Sequence, residues 1–261
     1  MAAAEPIPIC DGHIHFNAQV REHLHPTDAL RRLDEAGITC AIVSSTPNDG
    51  TERLHALAPD RIVPMLRPYR TAEDRYTWFR DPATIEYLRH GLAHFDYRGI
   101  GEFHVFGAQA ETPVVREMVR IAVSRQMPLH AHTNVTGITS LLEQATSVPV
   151  IWAHAGFDTP VAELHALLDA HDNLYLELSF REGIAPDGRL APAWRELFIA
   201  HRRRCLVGTD TYIPSRWTEL SALADAARAW LTQLPPGVAT DIAHANAQRV
   251  FARGGNAGAA P

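Results

Sequence analysis

Short apolar, β-branched runs alternate along the chain with longer runs in which apolar residues return every three or four positions. The strand-like runs cover residues 7–15, 38–45, 61–68, 97–104, 128–132, 148–154, 173–180 and 205–210. Between them the apolar spacing is helical. Val115, Met118, Val119 and Ala122 fall on one helix face, and Leu30 and Leu33 share a face of the first helix. Asp81-Pro82 and Thr112-Pro113 read as helix starts: a capping side chain precedes a proline whose missing N–H costs nothing in the first turn. Gly37 is placed to end the first helix in the left-handed conformation.

Eight strand-like runs separated by helices predict parallel βα units. At 261 residues this pattern predicts a single (β/α)8 TIM barrel spanning the chain, with a Gly- and Ala-rich tail at about 252–261 that should fray. An open doubly wound sheet is the second choice. It is weakened by the lack of a G-x-G-x-x-G after the first strand.

Composition narrows the chemistry. The 46% hydrophobic and 21% charged content is that of a globular chain with a sizeable core. The net charge of -6 gives no broad basic surface, so no nucleic-acid partner is expected. All 24 basic residues are arginine. Without lysine, Schiff bases, a phosphate-loop lysine and a carboxylated-lysine metal bridge are excluded. Cys10, Cys40 and Cys205 match no disulfide framework or zinc knuckle and read as buried core thiols. No apolar stretch approaches the ~18 residues of a membrane span, so no membrane partner is expected. The start MAAAEPIPIC has neither a basic segment nor a long apolar one. A cytoplasmic location is therefore expected, or a periplasmic one if a leader has been removed.

Ligand-type residues gather at strand ends. The first strand closes Asp11-Gly12-His13-Ile14-His15, which points both imidazoles the same way. Glu102 ends the fourth run, His132 the fifth, His154 the sixth and Asp210 the eighth. In a barrel these ends meet at one mouth, where catalytic residues collect. Carboxylates buried there need partners, and a divalent metal supplies one. Asp11 would either orient a ligand or serve as a structural carboxylate. His130 reads as hydrogen-bonded core, and Glu177 and Ser179 share a strand face of undetermined direction.

With these motifs in this order over nearly the whole chain, the sequence resembles the amidohydrolase superfamily. Asn246-Ala247-Gln248-Arg249-Val250-Phe251 is similar to the closing helix of its amidohydrolase-2 branch. The resemblance implies that His13, His15 and Asp210 hold one metal and His132 and His154 a second. Glu102 would replace the lysine bridge, as in the TatD-type branch. A one-metal site of His13, His15, His132 and Asp210, with Glu102 and His154 facing substrate or water, stays open. Imidazole and carboxylate donors suit zinc, and also manganese or iron.

The leading expectation is a metal-dependent hydrolase that uses a metal-activated water on an amide, ester or lactone of a small anionic substrate, with Asp210 as the proton shuttle. Arg67, Arg70, His104 and Arg216 are the candidate substrate contacts. Tyr212 and Trp217 either wall the pocket or pack, and Arg202–Arg204 reads as a solvated turn. The alternatives are a non-oxidative decarboxylase or hydratase of a carboxylated metabolite, a TatD-like phosphoesterase or nuclease, and a non-catalytic metal-binding protein. Self-association is left open.

Overall fold

The computed structural model describes residues 6–252. Eight strands form one sheet in chain order: β1 (Ile9–Ile14), β2 (Ile38–Val43), β3 (Ile62–Leu66), β4 (Gly99–His104), β5 (Leu129–His132), β6 (Val150–Trp152), β7 (Leu174–Glu177) and β8 (Cys205–Leu206). Each pairs in parallel with the next. The sheet closes where the segment after β8 meets β1. Gly12 N donates to Val207 O at 2.8 Å, and His15 N donates to Thr211 O at 3.0 Å. The result is a single (β/α)8 barrel, not an open doubly wound sheet.

A helix follows each strand: Pro26–Glu35, Asp49–Leu57, Ala83–His94, Pro113–Ser124, Val135–Gln144, Val161–Ala170, Pro192–Ala200 and Leu220–Leu231. Their starts follow the capping residues. Asp81 Oδ1 accepts from Ala83 N at 3.0 Å, and Thr112 Oγ1 accepts from Val115 N at 3.4 Å. Gly37 closes the first of these helices at φ +62, a conformation that other residues adopt with strain. The stripe of Val115, Met118, Val119 and Ala122 is fully buried against the barrel.

Several predicted strands are longer than the observed ones. β8 ends at Leu206: Val207 N donates to Ile242 O at 3.2 Å, outside the sheet, and Asp210 then turns to φ +43. His154 likewise follows β6 in a short turn at φ +59.

Two expectations are corrected here. Cys10 and Cys40 are not core thiols: they form a disulfide, with Cα atoms 4.5 Å apart. They are direct partners across β1 and β2, a proximity that their sequence spacing conceals. Cys205 is free and buried, as expected. The Arg202–Arg204 run is only partly solvated. Arg202 pairs with Asp241 at 2.9 Å, and Arg204 donates to Leu168 O at 2.5 Å and His171 O at 3.0 Å. There it satisfies carbonyls at a helix end. Asn246, fully buried, ties the closing helix Asn246–Phe251 to Arg202 O and Cys205 O at 2.8 and 2.7 Å. The expected frayed tail lies, apart from Ala252, outside the described residues. Among those described, no helix is long and apolar enough to cross a membrane.

Candidate metal centre

The strand ends bring all six predicted ligand residues together. His13 Nδ1 donates to Glu177 Oε2 at 2.8 Å, and His15 Nδ1 donates to the Ser44 carbonyl at 2.6 Å. A carboxylate and a carbonyl accept, so both Nδ1 atoms carry the proton and both Nε2 atoms present lone pairs. Those Nε2 atoms face each other at 3.0 Å. Two lone pairs at that distance need a positive charge between them, either a proton or a metal ion. His154 repeats the pattern, with Nδ1 donating to Ser179 O at 3.0 Å and Nε2 turned inward. Fixing the outer nitrogen in this way is how proteins orient metal-binding imidazoles.

The carboxylates complete the set. Glu102 Oε2 lies 3.6 Å from His13 Nε2 and 3.3 Å from His15 Nε2. Asp210 Oδ1 lies 3.6 and 3.2 Å from the same atoms. Donors about 2.0–2.1 Å from a tetrahedral ion are about 3.3–3.4 Å apart, so these separations fit one divalent cation. Glu102 Oε1 faces the other pair, 2.9 Å from His132 Nδ1 and 3.9 Å from His154 Nε2. One carboxylate therefore stands between two histidine pairs.

The electrostatics agree. Burial alone would lower the His13 pKa, but Asp210, Glu102 and Glu177 outweigh it and raise it well above the ordinary value. Burial pushes the Glu102 and Asp210 carboxyls up; the neighbouring imidazoles prevail and hold both well below the usual carboxylate range. The pocket is built for a net cation at its centre.

Glu177 was not among the predicted ligands. It is fully buried and accepts from His13 Nδ1, from Ser179 N at 2.5 Å, from Ser179 Oγ at 2.9 Å and from His154 N at 3.2 Å. Its pKa falls to about 2: burial opposes this, and His13 with the neighbouring histidines outweighs burial. Gly208 permits the approach, since a β-carbon there would overlap Glu177 Oε1. The one sequence signal was its shared strand face with Ser179; only the fold reveals that this face looks at His13. Asp11 is structural: it accepts from His13 N and Thr209 N at 3.0 Å each and from Thr209 Oγ1 at 2.6 Å, pinning β1 to the β8 loop. His130 lies in the core beside His13, ring centroids 4.6 Å apart. Its Nε2 has no partner among the described residues, and burial lowers its pKa to about 3.

The centre opens into a cavity of about 970 Å³. Backbone strain collects at its edge. Of seven non-glycine residues at positive φ among the described residues, five (His154, Ala155, Phe157, Phe180 and Asp210) follow β6, β7 or β8 at this mouth. Each costs about 1–3 kcal/mol, an expense characteristic of functional sites.

The amidohydrolase family model, Amidohydro_2, matches residues 80–253, well over half of the chain. The chain belongs to the amidohydrolase-2 family. It is a metal-dependent hydrolase of the amidohydrolase superfamily. No curated protein sequence matches it significantly. Among solved structures, a zinc-bound amidohydrolase from Burkholderia multivorans aligns over 94% of this chain and 99% of its own, with 17% identity and a TM-score of 0.58. A Pseudomonas putida protein provisionally assigned as a 2-pyrone-4,6-dicarboxylic acid hydrolase covers 94% and 97%, with 14% identity and a TM-score of 0.64. The TatD homologue YJJV from Escherichia coli K12 covers 93% and 97%, with 17% identity and a TM-score of 0.60. At these identities the likeness is one of fold.

In this amidohydrolase the predicted arginines are not equivalent. Arg67 lines the cavity, but its guanidinium is engaged by Glu102, with Nη2 on Oε2 at 2.7 Å and Nε on the Glu102 carbonyl at 2.9 Å. Arg70 is held by Asp74 at 3.0 Å and Asp81 at 2.5 Å. Arg216 donates to the carbonyls of Thr209 and Asp210, so it clamps the loop that carries Asp210. Arg75, which the sequence did not single out, lines the cavity; its guanidinium stacks on the Tyr76 ring at 4.7 Å and donates to the Tyr76 hydroxyl, and it pairs with no carboxylate among the described residues. His104 is the last residue of β4 and faces Glu102 Oε1 at 3.9 Å. The Tyr69 hydroxyl accepts from His104 N at 2.6 Å, so its own proton goes to His104 Nδ1 at 2.9 Å. His104 Nε2 therefore carries the imidazole proton, and burial keeps the ring neutral by pushing its pKa down. Tyr212 walls the cavity, whereas Trp217 is buried against Phe16.

Proposed function

We propose that this amidohydrolase cleaves an amide, ester or lactone bond of a small anionic substrate, with zinc as its resident metal at a two-ion centre. The observation that carries this reading is the placement of Glu102, one oxygen beside His13 and His15 and the other beside His132 and His154. On this reading His13, His15 and Asp210 hold one cation, His132 and His154 hold the second, and Glu102 serves both. Bound divalent cations supply Lewis-acid polarisation of the scissile carbonyl and acidify water.

The chain's own residues supply the rest. Asp210 is ionised and only 12% exposed at the cavity floor, placed to take a proton from attacking water and return it to the leaving group. His104 Nε2–H is a neutral donor for a substrate oxygen near Glu102. Arg75 at the cavity wall is the counter-charge for a substrate anion. Arg67 holds Glu102 ionised in its buried position. A phosphoester is the second reading, since a carboxylate shared between two cation sites also suits in-line displacement at phosphorus.

Metal analysis of protein purified without chelator, with a screen of lactones, esters, amides, phosphodiesters and carboxylated aromatics, tests the proposal. We expect about two equivalents of zinc and turnover of a carboxylic ester, lactone or amide. Asp210→Asn should fold normally and lose turnover by at least about 10²-fold, the scale of general acid–base assistance. Near-normal turnover in Asp210→Asn would remove the proton shuttle. No metal uptake even after reconstitution would remove the centre.

A further inference from the structure

Five aromatic side chains are left substantially exposed among the described residues: Tyr76, Phe106, Phe157, Phe180 and Tyr212. Four of them, all but Phe106, stand on the wall of the cavity above the candidate metal centre. Scattered exposed aromatics need no explanation, but their collection at one concave site does.

Phe157 and Phe180 both have φ +52. A bulky side chain in that region is an outlier that the surrounding structure must enforce. The strain serves one visible end. It throws the Phe157 ring onto His154 and His132, at centroid distances of 4.3 and 5.2 Å, and sets the Phe180 ring 5.8 Å from His154 and 6.4 Å from Tyr212. Arg216, already clamping the Asp210 loop, stacks on Phe180 at 4.1 Å and fixes it. The rings follow β6, β7 and β8, whereas Arg75 follows β3, on the other side of an eight-stranded barrel from β7.

We infer that the substrate carries an aryl ring, seated among Phe157, Phe180 and Tyr212, with its anionic group directed across the cavity to Arg75. This rests on the hydrolase reading for the chemistry but not for the binding. Phe157 and Phe180 offer π faces and no hydrogen-bonding groups, so the part of the collar that they form suits a flat apolar ring face. Offset and edge-on ring contacts favour an arene over a saturated ring of the same size.

The test compares benzoate with cyclohexanecarboxylate on the zinc-loaded protein by calorimetry. Both carry the same carboxylate, so direct metal or arginine contacts cancel in the ratio. Benzoate should bind about five- to tenfold more tightly, and Phe157→Leu and Phe180→Leu should each bring the ratio toward unity with zinc content unchanged. Phe180→Gly should lose the preference while its melting temperature holds or rises, because glycine relieves the positive φ. Equal affinities in the parent protein, or a ratio that survives both leucine variants, overturns the inference. So does a marked fall in melting temperature for Phe180→Gly, which would make the ring structural. In the activity screen, preferred turnover of alkyl or sugar lactones overturns the aryl assignment and leaves the hydrolase reading intact. An arene preference in binding without turnover of any ester, lactone or amide does the reverse.

Discussion

Glu177→Gln isolates the group that orients His13. Glu177 Oε1 accepts from Ser179 N, while Oε2 accepts from His13 Nδ1, His154 N and Ser179 Oγ. An isosteric amide keeps one oxygen. If that oxygen replaces Oε2, the new NH2 meets the Ser179 N–H and one buried donor goes unpaired. If it replaces Oε1, up to three donors are disturbed. The first orientation is cheaper, at about 1–3 kcal/mol for one unsatisfied buried group. For a chain of this size that is a fall in melting temperature of several degrees, at about 2–4 °C per kcal/mol. The charge is lost in either orientation, so His13 becomes a poorer donor. Replacing such a partner typically weakens metal binding about 10–100-fold, or about 1.4–2.7 kcal/mol. Competition with a chromophoric chelator measures the zinc affinity, and circular dichroism of the metal-free protein measures the fold. A zinc Kd within twofold of the parent, in a variant that folds, would refute the claim that Glu177 acts through His13 on the metal.

Arg67→Met should destabilise the metal-free protein by about 3–5 kcal/mol, since Glu102 would stay buried without its closest cation; zinc should recover part of the loss, and a melting curve unchanged from the parent would show that the pair is not the counter-charge. Chelation should lower the melting temperature, and added zinc should raise it with concentration as RT ln(1 + [Zn]/Kd), about 2.7 kcal/mol at a hundredfold excess over Kd; a melting temperature indifferent to zinc would argue against binding to the native state. Burial pushes the Cys205 thiol up to about 12, so at pH 8 it is protonated and the folded protein should resist iodoacetamide at this residue, with labelling on unfolding; rapid labelling of the native protein would contradict its burial.

The ligand positions were legible because they fall at strand ends, where a period-two apolar run stops and a histidine or carboxylate takes the next place. His13 and His15 are the clearest case, since strand alternation alone makes them neighbours. The arginines were not legible. Arg67, Arg70, Arg75 and Arg216 all follow β3 or β8, and nothing local separates those engaged by Glu102, Asp74, Asp81 or backbone carbonyls from Arg75, which none of these holds. Glu177 was missed because its partner His13 is 164 positions away. The Cys10–Cys40 bond was missed for the same reason: parallel pairing makes neighbours of residues that a whole helix separates.

The sequence by itself determined the barrel, a few helix ends and the class of chemistry. Those depend on period, capping and residue type, all of which are local, and the absence of lysine excludes a carboxylated-lysine bridge. Only the tertiary structure decided which lone pairs converge, which carboxylate orients which imidazole, how each arginine is engaged, and that strained phenylalanines stand beside the candidate ligands. Those are facts of long-range proximity and direction, and closing eight strands into a ring is what creates them.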